Sequence, residues 1–154
     1  MRLALYQPDI PQNTGTMLRL AACMDIPVDI IEPAGFPWSA ARFRRAGMDY
    51  VQHVSIRRHD SFAAFEAERA AAGRRLVLMT TRGETPYPAF SFHAGDVLML
   101  GRESLGVADE VHAAADARVR IPMRAGLRAL NVAVAAAMVL GEALRQTGHL
   151  DALG

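Results

Sequence analysis

Leu76-Val77-Leu78-Met79-Thr80 is apolar or β-branched throughout and follows directly on a helix stop at Gly73. A run this short, with no polar residue in its first four positions, reads as a strand buried on both faces, the pattern of a parallel sheet. Residues 3–6, 28–31 and 97–100 are further short apolar runs. Residues 117–121 form another that ends at Pro122, and 51–56 are also read as a strand. Helical patterns fill the gaps. Asn13 is placed to cap a helix through residue 25, with Leu18, Ala21 and Ala22 at helical spacing. Ser39 can cap a short basic helix through Arg45, ended by Gly47, and Asp60 or Ser61 opens one that carries Phe62 and Phe65 and closes at Gly73. Residues 107–115 are helix-like, and 127–146 read as a long last helix closed by Gly148. Strands alternating with helices imply βαβ units, hence an α/β fold with a parallel sheet flanked by helices on both faces.

With 154 residues the chain is expected to form a single domain, residues 1–154. No linker, repeat or low-complexity segment interrupts it, and residues 82–93 are the longest irregular piece. Hydrophobic residues make up 51% and charged residues 21%, which excludes disordered and fibrous classes. The net charge of +1 excludes a polycation, so contact with nucleic acid has to come from a local patch. A single cysteine, Cys23, read as core filling, excludes an internal disulfide and a cysteine-based zinc cluster. No apolar run has the length of a membrane span, and the start reads as a strand rather than a signal peptide. A soluble, cytoplasmic protein without membrane association is expected. All 17 basic residues are arginine. The chain is also rich in alanine, and a coding bias accounts for both.

Three segments carry polar residues and glycines where strands end, the place where parallel sheets bind ligands. After the first strand comes Pro11-Gln12-Asn13-Thr14-Gly15-Thr16-Met17-Leu18-Arg19, in which Arg19 stands among apolar neighbours and calls for an anionic partner. Leu100-Gly101-Arg102-Glu103-Ser104-Leu105-Gly106 is a strand-to-helix turn whose glycines admit close backbone approach, without a dinucleotide or phosphate-loop pattern. In Ile121-Pro122-Met123-Arg124-Ala125-Gly126-Leu127-Arg128-Ala129-Leu130-Asn131, Asn131 is the only polar residue of the first apolar turns after Arg128, and reads as a core bond or a ligand contact. Residues 132–140 are apolar around the whole helix, which reads as a subunit interface or a central core helix. Arg42, Arg44 and Arg45, beside Trp38 and Phe43, form a basic and aromatic cluster that suits either RNA or a solvated helix face. The five histidines lack metal-ligand spacing and no Gly-x-Ser-x-Gly elbow occurs, so no metal and no serine nucleophile are expected.

Taken in order, these segments resemble the SPOUT-class RNA methyltransferases, and within them the small TrmL-type tRNA 2′-O-ribose methyltransferases that act at the wobble nucleotide, cytidine or modified uridine. The resemblance covers nearly the whole chain. It rests on residues 5–15, Ile31-Glu32-Pro33, Gly35-Phe36, residues 44–50, Leu78-Met79-Thr80-Thr81, residues 100–106 and Arg120-Ile121-Pro122-Met123. It implies a deep trefoil knot near the C-terminus, with S-adenosylmethionine bent inside it. The positions matching the adenine-binding backbone are Met79, Gly101, Ile121, Ala129 and Leu130, while Glu103 and Asn131 would shape the donor pocket. Arg19 matches the catalytic arginine; a guanidinium is a permanent cation, suited to stabilising a developing alkoxide or gripping a phosphate. Asn13 would orient Arg19 or the ribose. A homodimer with an active site built from both chains is implied, acting on the tRNA anticodon loop, of leucine tRNAs, with no metal. The alternatives are 2′-O-methylation of ribosomal RNA or another tRNA position, or a non-catalytic RNA-binding module of the same fold. Two departures stand out. Ala129 and Ala133 replace serines of the family motif, a loss of about 1 kcal/mol if the first hydroxyl merely bonds backbone. Arg102 stands where the family often has proline.

Overall fold

A computed structural model describes residues 1–39, 41 and 49–154. The expected basic helix at 39–45 and the candidate RNA contacts Arg42, Arg44 and Arg45 fall outside them, apart from Ser39 and Ala41. Seven strands form one sheet: β1 (Arg2–Tyr6), β2 (Val28–Ile31), β3 (Ile56–His59), β4 (Leu76–Met79), β5 (Thr85–Pro86), β6 (Val97–Leu100) and β7 (Ala117–Arg120). Their order is β3-β2-β1-β6-β4-β7-β5, and every neighbouring pair is parallel. Among the described residues, helices with both ends described are α1 (Pro11–Cys23), α2 (Phe62–Ala71), α3 (Asp109–Ala114) and α4 (Val132–Gln146).

The two-residue period of the strands sorts the core into two layers. Leu3, Leu5, Val28, Ile30, Val77, Leu98, Leu100 and Val119 face one side and pack with Met17 and Leu18 of α1 and Val139, Leu140 and Leu144 of α4. Ala4, Tyr6, Ile31, Leu76, Leu78, Val97 and Met99 face the other and meet Phe65 of α2 and Val111 of α3. The central strands are buried throughout, as their unbroken apolar runs require. The buried Asp29 is paired: it accepts from Arg2 at 2.7 Å and lies 2.9 Å from His59 Nε2.

Four local expectations are corrected. Residues 51–56 are not a strand. A 3-10 helix spans Asp49–His53, and the strand runs Ile56–His59, in register with β2 from Val28 opposite Ile56. Its polar Arg57 and Arg58 fit because it is the sheet's edge. Helix α1 begins at Pro11, whose ring suits a first helical position, so Asn13 lies inside the first turn and does not cap it. Helix α4 begins at Val132 rather than 127, because Asn131 caps it by accepting from the Ala133 and Val134 N–H groups. Cys23 is exposed rather than core filling, since it ends α1 on the side away from the sheet.

Candidate active site

The carboxyl ends of β1, β6, β4 and β7 lie side by side, and the loops that leave them enclose a cavity of about 480 Å³. This is where the strand order reverses direction, the usual ligand site of a parallel sheet. Met79, Gly101, Glu103, Ile121, Ala129, Leu130 and Asn131 all line it, together with Asn13. Three segments far apart in sequence thus share one wall. Gly101 is needed there: a Cβ at this position would lie 2.7 Å from the carbonyl carbon of Gly106, so any side chain would force the turn open. Gly83 serves the neighbouring loop, since a Cβ there would lie 2.5 Å from the carbonyl carbon of Val119 in β7.

Polar contacts inside the site run in one direction. Both backbone N–H groups at the start of α4 donate to Asn131 Oδ1, which fixes the amide so that Nδ2 donates to Asn13 Oδ1 at 3.0 Å. Asn13 is thereby set to donate through its own Nδ2 to Glu103 Oε1 at 3.1 Å. Asn13 can do this only because it lies within the first turn of α1 rather than capping it. Asp9 completes the network. Its carboxylate accepts from the Glu103 and Ser104 backbone N–H groups at 3.0 and 3.3 Å and from the Ser104 hydroxyl.

The two carboxyl groups are driven apart in acidity. Burial alone would raise Asp9, but hydrogen bonds from Glu103 and Ser104, side chain and backbone, outweigh it and lower the group to about 2. Glu103 is pushed above the usual carboxylate range by burial first, and then by its hydrogen bond and charge contact with Asp9. Glu103 Oε2 is buried without a hydrogen-bond partner among the described residues.

Arg19 does not line the cavity. It is exposed on α1, with its guanidinium 4.5 Å from the ring centre of Tyr50 and Nη2 donating to the Tyr50 hydroxyl at 3.4 Å. The expected anionic partner is therefore an aromatic face within this chain. Asn131 is exposed rather than core-bonded. Sequence reasoning assigned no role to Asp9 or Tyr50. The available signal for Asp9 was a carboxylate between Pro8 and Pro11 in the turn leaving an apolar strand; for Tyr50 there was none. Among the described residues no group of three or more metal-ligating side chains occurs.

The last helix buries Ala133, Ala136, Val139, Leu140, Ala143 and Leu144 and leaves Val134, Ala137, Met138 and Gly141 uncovered. Val134 is 49% exposed and Met138 38%, and Leu130 and Ile10 are exposed as well. Leu130 and Ile10 also line the cavity.

The model of the SpoU rRNA methylase family matches residues 1–141. The chain belongs to this family. A SpoU relative from Beijerinckia indica, named tRNA (cytidine(34)-2′-O)-methyltransferase, is 64% identical over 148 residues, 96% of this chain and 92% of its own. One of the same name from Escherichia coli K12 is 40% identical over 99% of this chain and 98% of its own. A solved structure described as giving insights into 2-OH methylation of C/U34 on tRNA superposes with a TM-score of 0.87 at 44% identity, covering 94% of both chains. A SpoU rRNA methyltransferase from Sinorhizobium meliloti, solved with AdoMet bound, superposes with a TM-score of 0.84 at 29% identity, over 94% of this chain and 55% of that one. The parallel sheet flanked by helices is the architecture shared with these SpoU structures.

Proposed function

We propose that this chain is an S-adenosylmethionine-dependent methyltransferase that modifies the ribose 2′-OH of the wobble nucleotide of tRNA, a cytidine or modified uridine, with leucine tRNAs as the expected substrates. The observation that carries this reading is the cavity lined by residues from the ends of β4, β6 and β7, in a chain 64% identical to a tRNA (cytidine(34)-2′-O)-methyltransferase.

The residues present suit such a donor. The cavity is large enough for a nucleoside with an amino-acid tail, its walls are mostly apolar, and the Glu103 Oε2 and Arg102 Nε atoms are buried without partners among the described residues. Met79, Gly101, Ile121, Ala129 and Leu130 would hold the adenosine chiefly through backbone groups. When bound, the donor supplies an electrophilic methyl on sulfur, so no metal is required. What the chain must add is position and charge. Asn131, Asn13 and Glu103 hold one another in a fixed orientation and so keep the donor pocket rigid. Arg19 would stabilise the alkoxide that develops as the 2′-OH loses its proton.

Arg19 lies outside the cavity of its own chain, as expected if guanidinium and donor meet across a homodimer. The uncovered Val134 and Met138 face supports that assembly. We read the fold as a single methyltransferase domain over residues 1–154 with a deep trefoil knot. Gln146 of α4 accepts from Phe92 N–H at 2.9 Å and donates to Phe90 O at 3.0 Å, tying the last helix into the segment between β4 and β6. Arg42, Arg44 and Arg45 are the proposed RNA contacts. Among the described residues no helix is long and apolar enough to cross a membrane. A tRNA substrate supports the reading of a cytoplasmic enzyme.

The test is transfer of a labelled methyl group to tRNA by the purified protein, with the product mapped by mass spectrometry. Methyl on the ribose of the wobble nucleotide is expected. A product on ribosomal RNA or another tRNA position overturns the substrate, and donor binding without any transfer overturns the enzyme reading.

A further inference from the structure

The cavity contains a cation that its own chain does not neutralise. Arg102 lines the wall, and its backbone is pinned on both sides: its N–H donates to Gly106 O at 3.2 Å and its carbonyl accepts from Gly106 N–H at 2.8 Å. The root of the side chain is therefore fixed. Its Nε is buried and meets no acceptor among the described residues. Leaving a buried donor unpaired is unfavourable, the more so on a charged group. The adjacent Glu103 does not relieve it. That carboxyl already accepts from Asn13, and burial together with Asp9 favours its neutral form. An unpaired guanidinium fork on the wall of a mostly apolar cavity matches one kind of ligand group, a planar pair of anionic oxygens.

We propose that Arg102 binds the α-carboxylate at the amino-acid end of the methyl donor. This rests on the reading of the cavity as the donor site. The donor's ammonium and sulfonium are cations, and its carboxylate is its one anionic group and the one that offers a planar pair of charged oxygens to the fork. A phosphate of the RNA is the other source of anionic oxygens. Burial of Nε inside the cavity wall favours the small ligand that enters the cavity over a polymer backbone that stays outside. Arg102 is then a binding residue for the donor's amino-acid tail.

Two ligands that differ in the tail give the test. S-adenosylhomocysteine carries the carboxylate and 5′-methylthioadenosine lacks it; both are titrated calorimetrically into wild-type protein, R102Q and R102K. Loss of a charge-assisted bond predicts that R102Q binds S-adenosylhomocysteine about 10- to 100-fold more weakly, with methylthioadenosine unchanged within about twofold. R102K keeps the charge without the fork and is expected to lose S-adenosylhomocysteine affinity selectively but less, which maintains the test should R102Q fail to fold. Equal weakening of both ligands, or of neither, overturns the proposal. Unchanged S-adenosylhomocysteine binding with a shallower salt dependence of tRNA binding overturns it in favour of a phosphate. A wild-type protein that binds neither ligand refutes the donor-site reading beneath it.

Discussion

Replacing Asn131 separates two jobs that one amide performs. Its Oδ1 accepts from Ala133 and Val134 N–H at 2.9 and 3.3 Å, while its Nδ2 donates to Asn13 at 3.0 Å. Asn131→Ala removes both. Loss of such a cap costs about 1 kcal/mol, which for a chain of this size lowers the thermal midpoint by about 2–4 °C. Asn131→Asp keeps an acceptor for the helix, adds a favourable charge at its N-terminus of about 0.3–1 kcal/mol, and removes only the donor. The Asp variant should therefore melt at or above the wild-type temperature. Both variants should bind S-adenosylhomocysteine about 2- to 10-fold more weakly, the value of one net hydrogen bond, because Asn13 is no longer held toward Glu103. Calorimetric scans at one fixed protein concentration, with titrations alongside, make the measurement, since a second copy would contribute to the midpoint. An Asp variant that binds like wild type would refute the orienting role, and an Ala variant that melts like wild type would refute the cap.

Arg19→Ala should abolish methyl transfer while shifting the thermal midpoint by under about 4 °C, because the exposed side chain gives up only its stacking on Tyr50, about 0.5–1 kcal/mol, and a long hydrogen bond to the same residue's hydroxyl. Retained turnover would remove Arg19 from the mechanism. Asp9 and Glu103 predict opposite limbs of a stability profile. Asp9, depressed from 3.8 to about 2, contributes stability that is present above pH 3.8 and lost as pH falls toward 2. Glu103, raised above 4.5, contributes stability that is present below pH 4.5 and lost as pH rises through its folded value. Urea titrations across pH should show Asp9→Asn flattening the acid limb and Glu103→Gln removing the loss above pH 4.5; an unchanged profile in either variant contradicts the paired assignment. Met138→Glu places a charge on the uncovered face of α4. Sedimentation should then report a monomer in place of a dimer, and a monomeric wild-type protein would refute the two-chain site.

Much of the fold was legible because the strands are short apolar runs set between helix stops. Residues 28–31 and 97–100 coincide with β2 and β6, and Ser61 caps α2 by accepting from Ala64 N–H as its position suggested. The misreadings lie where side chains answer to distant partners. Val51 and Val54 looked like a strand, but they pack against the core beside α1, and pairing with β2 starts only at Ile56. The start of α4 depended on Asn131, whose capping role cannot be told by periodicity from a place inside the helix.

Composition and local pattern determined the parallel sheet, the positions of most elements and the three polar segments at strand ends, because burial on both faces and helix capping are written over a few neighbouring residues. Local pattern did not group Met79, Gly101, Ile121 and Leu130; the family resemblance did, and the tertiary structure brings them to one wall. Tertiary structure alone set the Asn131–Asn13–Glu103 direction of donation, the pairing of Asp9 with Glu103, and the separation of Arg19 from the cavity. Strand order is the physical reason: placing β6 between β1 and β4 brings together loops some 90 residues apart, and no local periodicity encodes which strand lies beside which.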